Sequence, residues 1–275
     1  MEKKNSYGNG RSPIVSVIIP VYNCIEYLGQ AIDSVIVQNV PVEIIVVNDS
    51  PWQDLTEFIK PYQERTNLVL IVNEQNLGVA KSRNIGIQNA HGRYVALLDD
   101  DDCWMPGKLK KQLHLMKKTG CALCFTAREL MDEDGTPLHR VIHAKPRVSY
   151  HSLLKNNVIN CSSAVMPIEV AKEFLMGHDH LHEDFILWLN ILKKYKYAYG
   201  IDEPLIRYRL TYGGKSGNKL QSAKMTYGVY KHMGYGKIRA GWYFICYALN
   251  GLKKYGFREA WDSLIAKMKE KDRKR

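Results

Sequence analysis

The chain has no apolar run approaching the roughly eighteen residues that a membrane-spanning helix requires. Its best candidate, GWYFICYALNGL at 241–252, is bounded by Arg239 and Lys253 and is too short. No secretory leader opens the sequence either: MEKKNSYGNGRSP is polar and glycine-containing, which reads as a flexible tail over 1–13. Cysteine is sparse and scattered, at positions 24, 103, 121, 124, 161 and 246. Cys121-x-x-Cys124 has no second pair and lies in an apolar run, so it reads as core strand rather than a zinc site. Together these absences point to a reducing, cytoplasmic setting.

Acidic residues are scarce in one region only. Residues 215–275 hold 15 Lys and Arg against 4 Asp and Glu, a surplus of 11 that equals the net charge of the whole chain. Residues 1–214 therefore balance. Such a block suits nucleic acid, an anionic membrane or an acidic ligand, or else a solvated helical surface. What remains is ordinary for a folded chain of 275 residues. Hydrophobic residues make up 45% and charged residues 24%, enough for one sizeable core with an appendage.

The first hundred residues alternate between two periodicities. VSVIIPVYN (15–23), VEIIVVND (42–49), LVLIVNE (68–74) and YVALLDD (94–100) predict strands. IEYLGQAIDSVIVQ (25–38), PWQDLTEFIKPYQER (51–65) and GVAKSRNIGIQNA (78–90) predict helices, the second starting at its proline. Strands apolar on both faces and separated by helices predict an α/β fold with a mostly parallel sheet flanked by helices. In such sheets ligands bind beyond the carboxyl ends of the strands. Tyr22-Asn23, Asn48-Asp49, Asn73-Glu74 and Asp99–Asp102 would gather there. Beyond 105 the pattern loosens into helices over 106–120 and 182–195, strands over 121–130 and 197–210, and two or three basic, tyrosine-rich helices over 216–270.

The fourth strand ends in LLDDDDCW, four carboxylates in a row. On a strand, Asp99 and Asp101 share a face. Paired carboxylates suit Mg²⁺ or Mn²⁺, which would relieve their mutual repulsion. A solvated acidic loop or a helix N-terminus accommodates the same residues.

Six segments in order resemble the family 2 glycosyltransferases of the GT-A fold: SVIIPVYN, VVNDSP, NLGVAKSRNIGI, LLDDDDCWMPGKL, HEDFILWL and YRLTYGGKSGN. The resemblance covers about residues 14–217. It implies a GT-A, Rossmann-like domain over 14–214, with a nucleotide-sugar half at 14–105 and an acceptor half at 106–214, followed by a basic helical extension at 215–275. It implies sugar transfer from a nucleoside-diphosphate sugar, UDP-linked by expectation, with inversion, to a hydroxyl of a surface polysaccharide or lipid-linked saccharide.

The resemblance also implies roles for individual residues. Pro20, Tyr22 and Asp49 fall where the family holds the nucleotide base, and Arg83 falls on its arginine. Asp99 and Asp101 fall on the D-x-D pair that holds Mn²⁺ or Mg²⁺. Asp101 is the first metal ligand, Asp99 serves metal or ribose, and Asp100 replaces a small residue within the donor site. Asp102 reads as the cap of the next helix. Asp184 falls on the general base, with Glu183 as the fallback, since attack by a hydroxyl needs a positioned carboxylate. Arg209, Lys215 and Ser216 would close over the diphosphate, although Leu210 and Thr211 depart from the family's usual histidine. His178, His180 and His182 read as solvated loop residues.

For the basic C-terminus, a helix on an anionic membrane and a buttress on the catalytic domain are both open. The first would place the protein peripherally on the inner face of the membrane; no nucleic acid partner is expected. Nucleotidyl transfer is a rival, but VYNCIEYLG lacks the glycine-rich, lysine-bearing phosphate loop it would want. A non-enzymatic binder of membrane or nucleic acid would rest on the charge surplus alone.

Overall fold

The computed structural model describes residues 12–23, 25–177, 179–211 and 219–255. Its elements run β1 (Val15–Val21), α1 (Leu28–Ile36), β2 (Val42–Asn48), α2 (Thr56–Gln63), β3 (Asn67–Val72), α3 (Val79–Gln88) and β4 (Tyr94–Leu97). There follow β5 (Cys103–Trp104), α4 (Lys108–Thr119), β6 (Cys124–Met131), β7 (Pro137–Ile142), β8 (Arg147–Ser149) and α5 (Tyr150–Lys155). The chain continues with β9 (Val165–Pro167), α6 (Ile168–Glu173), α7 (Glu183–Tyr195), β10 (Tyr197–Arg209), α8 (Lys219–His232) and α9 (Lys237–Tyr255).

One sheet carries the order β3-β2-β1-β4-β9-β6-β10-β5, with β7 added to β6 and β8 to β10. Among the first four strands every pairing is parallel. β9 then runs antiparallel to both β4 and β6. Farther on, β10 is parallel to β6 and antiparallel to β5. The parallel order thus belongs to the first hundred residues, where β1, β2 and β3 are each followed by a crossover helix. The later half is mixed.

Period two divides β1 between two cores. Val15, Val17, Ile19 and Val21 pack with Leu28, Ile32, Ile59 and Leu109. Ile18 faces the opposite layer, with Ala80, Ile87, Leu153, Phe185 and Trp188. Burial on both faces explains the continuous apolar character of this strand. Gly86 lies flat against the sheet, where a Cβ would stand 2.4 Å from a methyl group of Ile18. A glycine in this helix is therefore a packing requirement.

Two local expectations are corrected. The second helix starts at Thr56 rather than at Pro51, because Ser50–Gln53 closes a turn with Gln53 N–H donating to Ser50 O at 2.9 Å. That turn is held by Asn48, whose Nδ2 donates to Gln53 O at 2.7 Å. Asp102 does not cap α4, whose N-cap is Gly107 at φ 81°. The expected glycine stop is present at Gly120.

α8 and α9 pack back on the sheet's helical layer. The Tyr230 hydroxyl donates to Leu154 O at 2.8 Å, and the Phe185 ring meets Tyr230 and Tyr247 at 6.2 and 6.0 Å between centroids. No described helix is long and apolar enough to cross a membrane. Residues 215–218 and 256–275 of the expected C-terminal extension lie outside the described residues.

Candidate active site

At the carboxyl ends of β1, β2 and β4 opens a cleft of about 390 Å³. Pro20, Tyr22, Asp49, Arg83, Asp99, Asp100 and Asp101 all line it, so seven of the residues singled out in the sequence converge. Val21, Asn76, Gly78, Val79, Ser82 and Asp179 complete the wall and were not singled out.

The acids reach the cleft by a different route from the one expected. β4 stops at Leu97, and Asp99–Asp102 form a turn in which Asp102 N–H donates to Asp99 O at 3.2 Å. Strand alternation therefore does not sort them: Asp99, Asp100 and Asp101 all line the cleft. The Tyr22 backbone N–H donates to the Asp100 carboxylate, tying the turn to the end of β1. Burial, then Asp101 and Asp99, push the Asp100 carboxyl well above the ordinary range. Asp101 is pushed up to about 6 by burial and by Asp99, against the pull of Arg209 and Arg83. Crowded carboxylates at a half-buried wall are a standing demand for positive charge.

Arg83 supplies part of it. The side chain is buried, with Nη2 donating to Asp99 Oδ1 at 2.6 Å and Nη1 to Glu183 Oε1 at 3.0 Å. One guanidinium therefore joins the β4 rim to the first turn of α7. The fork geometry of arginine suits this double task, which a lysine ammonium does not reproduce.

Asp102 and Arg209 work behind the turn. Asp102 is fully buried, accepting from Ser162 Oγ at 2.5 Å and from the Arg209 backbone N–H at 3.0 Å. Arg209, expected at the diphosphate, is instead buried away from the cleft wall. Its Nε donates to Asp101 O, Nη1 to Glu133 O and Nη2 to Gln30 Oε1, at 2.9, 2.7 and 2.8 Å. The guanidinium stacks 4.0 Å over the Tyr27 ring. Its donors are spent on fixed protein acceptors, so it fastens the acidic turn from the rear. Ser216, the other residue expected there, lies outside the described residues, as do Lys215 and His178.

The other end of the cleft is organised by Asp49. Its Oδ1 accepts from Leu77 N–H and Asn73 Nδ2, at 2.8 and 2.7 Å, and its Oδ2 accepts from Gly78 N–H at 2.8 Å. Oδ2 retains an acceptor position. Gly78, at φ 85°, is confined by Asp179, whose Oδ2 would stand 2.5 Å from an added Cβ. Asp179 Oδ1 accepts from Ala80 N–H at 2.9 Å at the start of α3. At the mouth, the exposed rings of Tyr22 and Trp52 meet edge to face at 6.1 Å. Trp52 was not anticipated, since a tryptophan in a turn carries no periodic signal.

Glu183 and Asp184 open α7 as its first two residues. Glu183 is buried against Arg83, whereas Asp184 accepts from its neighbour Phe185 N–H at 2.7 Å. Burial and Glu183 push the Asp184 carboxyl up to about 6, against His182 and Arg83. His182 is not a solvated loop residue: its ring is half-buried, with Nε2 3.2 Å from Ser222 O of α8.

Among the described residues no three His, Cys, Asp or Glu side chains form a self-sufficient metal cage. Asp99 and Asp101 nevertheless provide two hard oxygen donors on one wall. Such a pair fits Mg²⁺ or Mn²⁺ when the ligand supplies the remaining oxygens. Cys121 and Cys124 are buried free thiols; Cys124 opens β6, whereas Cys121 lies in the loop before it.

Sheet order and cleft together define the class: a glycosyltransferase of the GT-A fold. The model of glycosyl transferase family 2 matches residues 16–172, and the chain belongs to that family. It is 39% identical over 247 residues to the putative teichuronic acid biosynthesis glycosyltransferase TuaG of Bacillus subtilis (strain 168), covering 88% of this chain and 97% of that protein. It is 31% identical over 248 residues to the UDP-Glc:alpha-D-GlcNAc-diphosphoundecaprenol beta-1,3-glucosyltransferase WfaP of Escherichia coli, covering 89% and 96%. Among solved structures, S. aureus TarS 1-349 in complex with UDP-GlcNAc superposes with a TM-score of 0.67 at 16% identity, covering 90% of this chain and 77% of that one. The mannosyltransferase PcManGT of Pyrobaculum calidifontis, in complex with GDP-Man and Mn²⁺, gives 0.63 at 16% identity, covering 94% and 81%.

Proposed function

We propose that the protein transfers a sugar from a UDP-linked donor to a hydroxyl of a lipid-linked saccharide or growing surface polysaccharide, with inversion. The observation that carries this reading is the bridge through Arg83, which links the acidic turn to Glu183 at the start of α7, the residue beside Asp184. The likeness to TuaG and WfaP supports the acceptor class and the UDP donor. On this reading residues 14–105 serve the donor, and residues 106–214 the acceptor.

Each role follows from chemistry at the site. Asp49 Oδ2 accepts from the base N–H, while Tyr22, beside Pro20 and with Trp52, covers the base. Asp101 and Asp99 would hold a divalent cation, Mn²⁺ or Mg²⁺, which would supply Lewis-acid stabilisation of the diphosphate; Asp100 keeps the turn against β1 within the donor site. Arg83 orients Asp99 and Glu183 so that donor and base face one another. The Asp184 carboxylate takes the acceptor hydroxyl proton as that oxygen bonds to C1 of the sugar. The C1–O bond breaks with its electron pair leaving on the diphosphate. Attack from the face opposite the departing oxygen gives inversion. Ser216 and Lys215 are proposed to contact the diphosphate; Arg209 is not.

Purified protein incubated with UDP- and GDP-sugars, a lipid-diphosphate saccharide acceptor and Mn²⁺ should release UDP, and a chelator should stop the release. Failure of every donor to bind or turn over in the presence of Mn²⁺ would sink the reading.

A further inference from the structure

The outer face of α9 carries a feature that the catalytic site does not use. Ile238, Trp242, Ile245 and Leu249 are 90%, 61%, 53% and 56% exposed. At the 3.6-residue helical repeat these four side chains fall within an arc of about 60°. They form a single apolar stripe, while the opposite face of the helix is satisfied. Tyr243 and Tyr247 pack there against Tyr235, Tyr230 and Phe185. The segment that carries the stripe is also basic in sequence. Residues 219–255 contain Lys219, Lys224, Lys231, Lys237, Arg239, Lys253 and Lys254, and no Asp or Glu.

We propose that α9 lies in the plane of an anionic bilayer, with Ile238, Trp242, Ile245 and Leu249 sunk among the acyl chains and the flanking cations on the headgroups. The proposal rests on the reading that the acceptor is lipid-linked, and it names the surface where that acceptor is met. Charge selects this occupant. A second copy would bring the same cations against themselves, whereas an anionic headgroup layer complements them. An interfacial helix with a tryptophan on its apolar face and basic flanks is the arrangement expected for lying on a membrane rather than crossing it. The position is useful as well. Phe185, which follows Asp184, touches Tyr247 on the inner side of α9. The first turn of α7 is thus joined through this ring contact to the inner side of α9, the side opposite the stripe, so an acceptor held at the headgroups beside α9 would meet the element that carries Asp184.

Sedimentation of the full chain with vesicles tests this, using phosphatidylglycerol mixed with phosphatidylcholine in one arm and phosphatidylcholine alone in the other. The wild-type protein should sediment with the anionic vesicles only, and less so as salt is raised. The fourfold variant Ile238→Ser, Trp242→Ser, Ile245→Ser, Leu249→Ser should bind roughly tenfold or more weakly. Its melting temperature and its hydrolysis of soluble donor should stay near wild type. Trp242→Ser alone, and Lys237→Gln with Arg239→Gln, should weaken binding by smaller factors and cover the case in which the fourfold variant folds poorly. Wild-type protein left in the supernatant, or a fourfold variant that binds as well as wild type, would overturn the proposal. So would a wild-type dimer in light scattering that the fourfold variant converts to monomer without any vesicle binding, and so would binding lost on deleting 256–275 but kept in the fourfold variant. Vesicle binding without donor turnover would retain this interface while rejecting the proposed activity.

Discussion

Two buried arginines grip the Asp99–Asp102 turn from opposite sides, and what they grip differs. Arg83 reaches it from the cleft and gives its guanidinium to the carboxylates of Asp99 and Glu183. Arg209 reaches it from behind and gives its guanidinium to Asp101 O, Glu133 O and Gln30 Oε1. A carbonyl or amide oxygen has one charge state and one place. A carboxylate can exchange its partner for a cation, a proton or a substrate group. The front contact is therefore responsive and the rear contact is a frame. Both arginines sit in segments of family resemblance, so residue type alone assigns them similar work. Their acceptors separate them.

The largest expected effect lies at Asp184, the neighbour of Glu183 at the far end of the front contact. Asp184→Asn should lower kcat by about 10²–10⁴-fold, the usual contribution of a general base, with the melting temperature little changed. The Asp184 carboxyl is pushed up to about 6 by burial and Glu183. A base acts only when deprotonated, so kcat/KM should fall as pH drops through about 6 and level off above it. In Asp184→Asn that acid limb should vanish from the residual activity. An acid limb unchanged in the variant would assign the base elsewhere.

Arg209→Met and Arg83→Lys divide the comparison directly. The first removes three part-buried hydrogen bonds at about 1 kcal/mol each, so a loss of about 3 kcal/mol is expected. Thermal unfolding should register it, while the KM for donor of the molecules still folded should stay within a few-fold. Arg83→Lys keeps the charge but cannot fork to two carboxylates. Misplacing Asp99 and Glu183 by about 1 Å should cost about 10²-fold in kcat/KM with little change in stability. A stability loss in Arg83→Lys matching that of Arg209→Met would erase the distinction between frame and responsive contact.

The parallel half of the sheet was legible because its physics is local. Val15–Val21 and Val42–Asn48 are buried on both faces, so their apolar runs declare themselves, and Gly120 marks a helix stop by conformation alone. The convergence of Tyr22, Asp49 and the acids followed from strand ends sharing one rim, whereas Pro20 and Arg83, the latter on helix α3, were singled out by the family resemblance. What was not legible depends on contacts distant along the chain. Asp102 looked like a cap because its partners, Ser162 and Arg209, lie 60 and 107 positions away. Asp179 confines Gly78 from 101 positions away, and no spacing rule records that. Strand alternation paired Asp99 with Asp101, but the strand ends two residues earlier and a turn brings Asp99, Asp100 and Asp101 to the cleft alike.

Ser162 is where the two sides of the turn meet, and it offers the smallest and most discriminating test. Its hydroxyl accepts from Asp99 N–H at 3.1 Å and donates to Asp102 Oδ2 at 2.5 Å. Burial, then Asp101 and Asp99, push the Asp102 carboxyl well above the ordinary range, and Ser162 is the hydrogen-bond donor that most counters this. Ser162→Ala should cost about 1–2 kcal/mol of stability, the penalty for leaving a buried acceptor short of a donor. The damage should spread forward only weakly, because Asp99 is still held at its carboxylate by Arg83. Donor KM should rise no more than a few-fold, and kcat should hold. A kcat loss as large as that of Arg83→Lys would mean that the rear of the turn sets the catalytic geometry as strictly as the front.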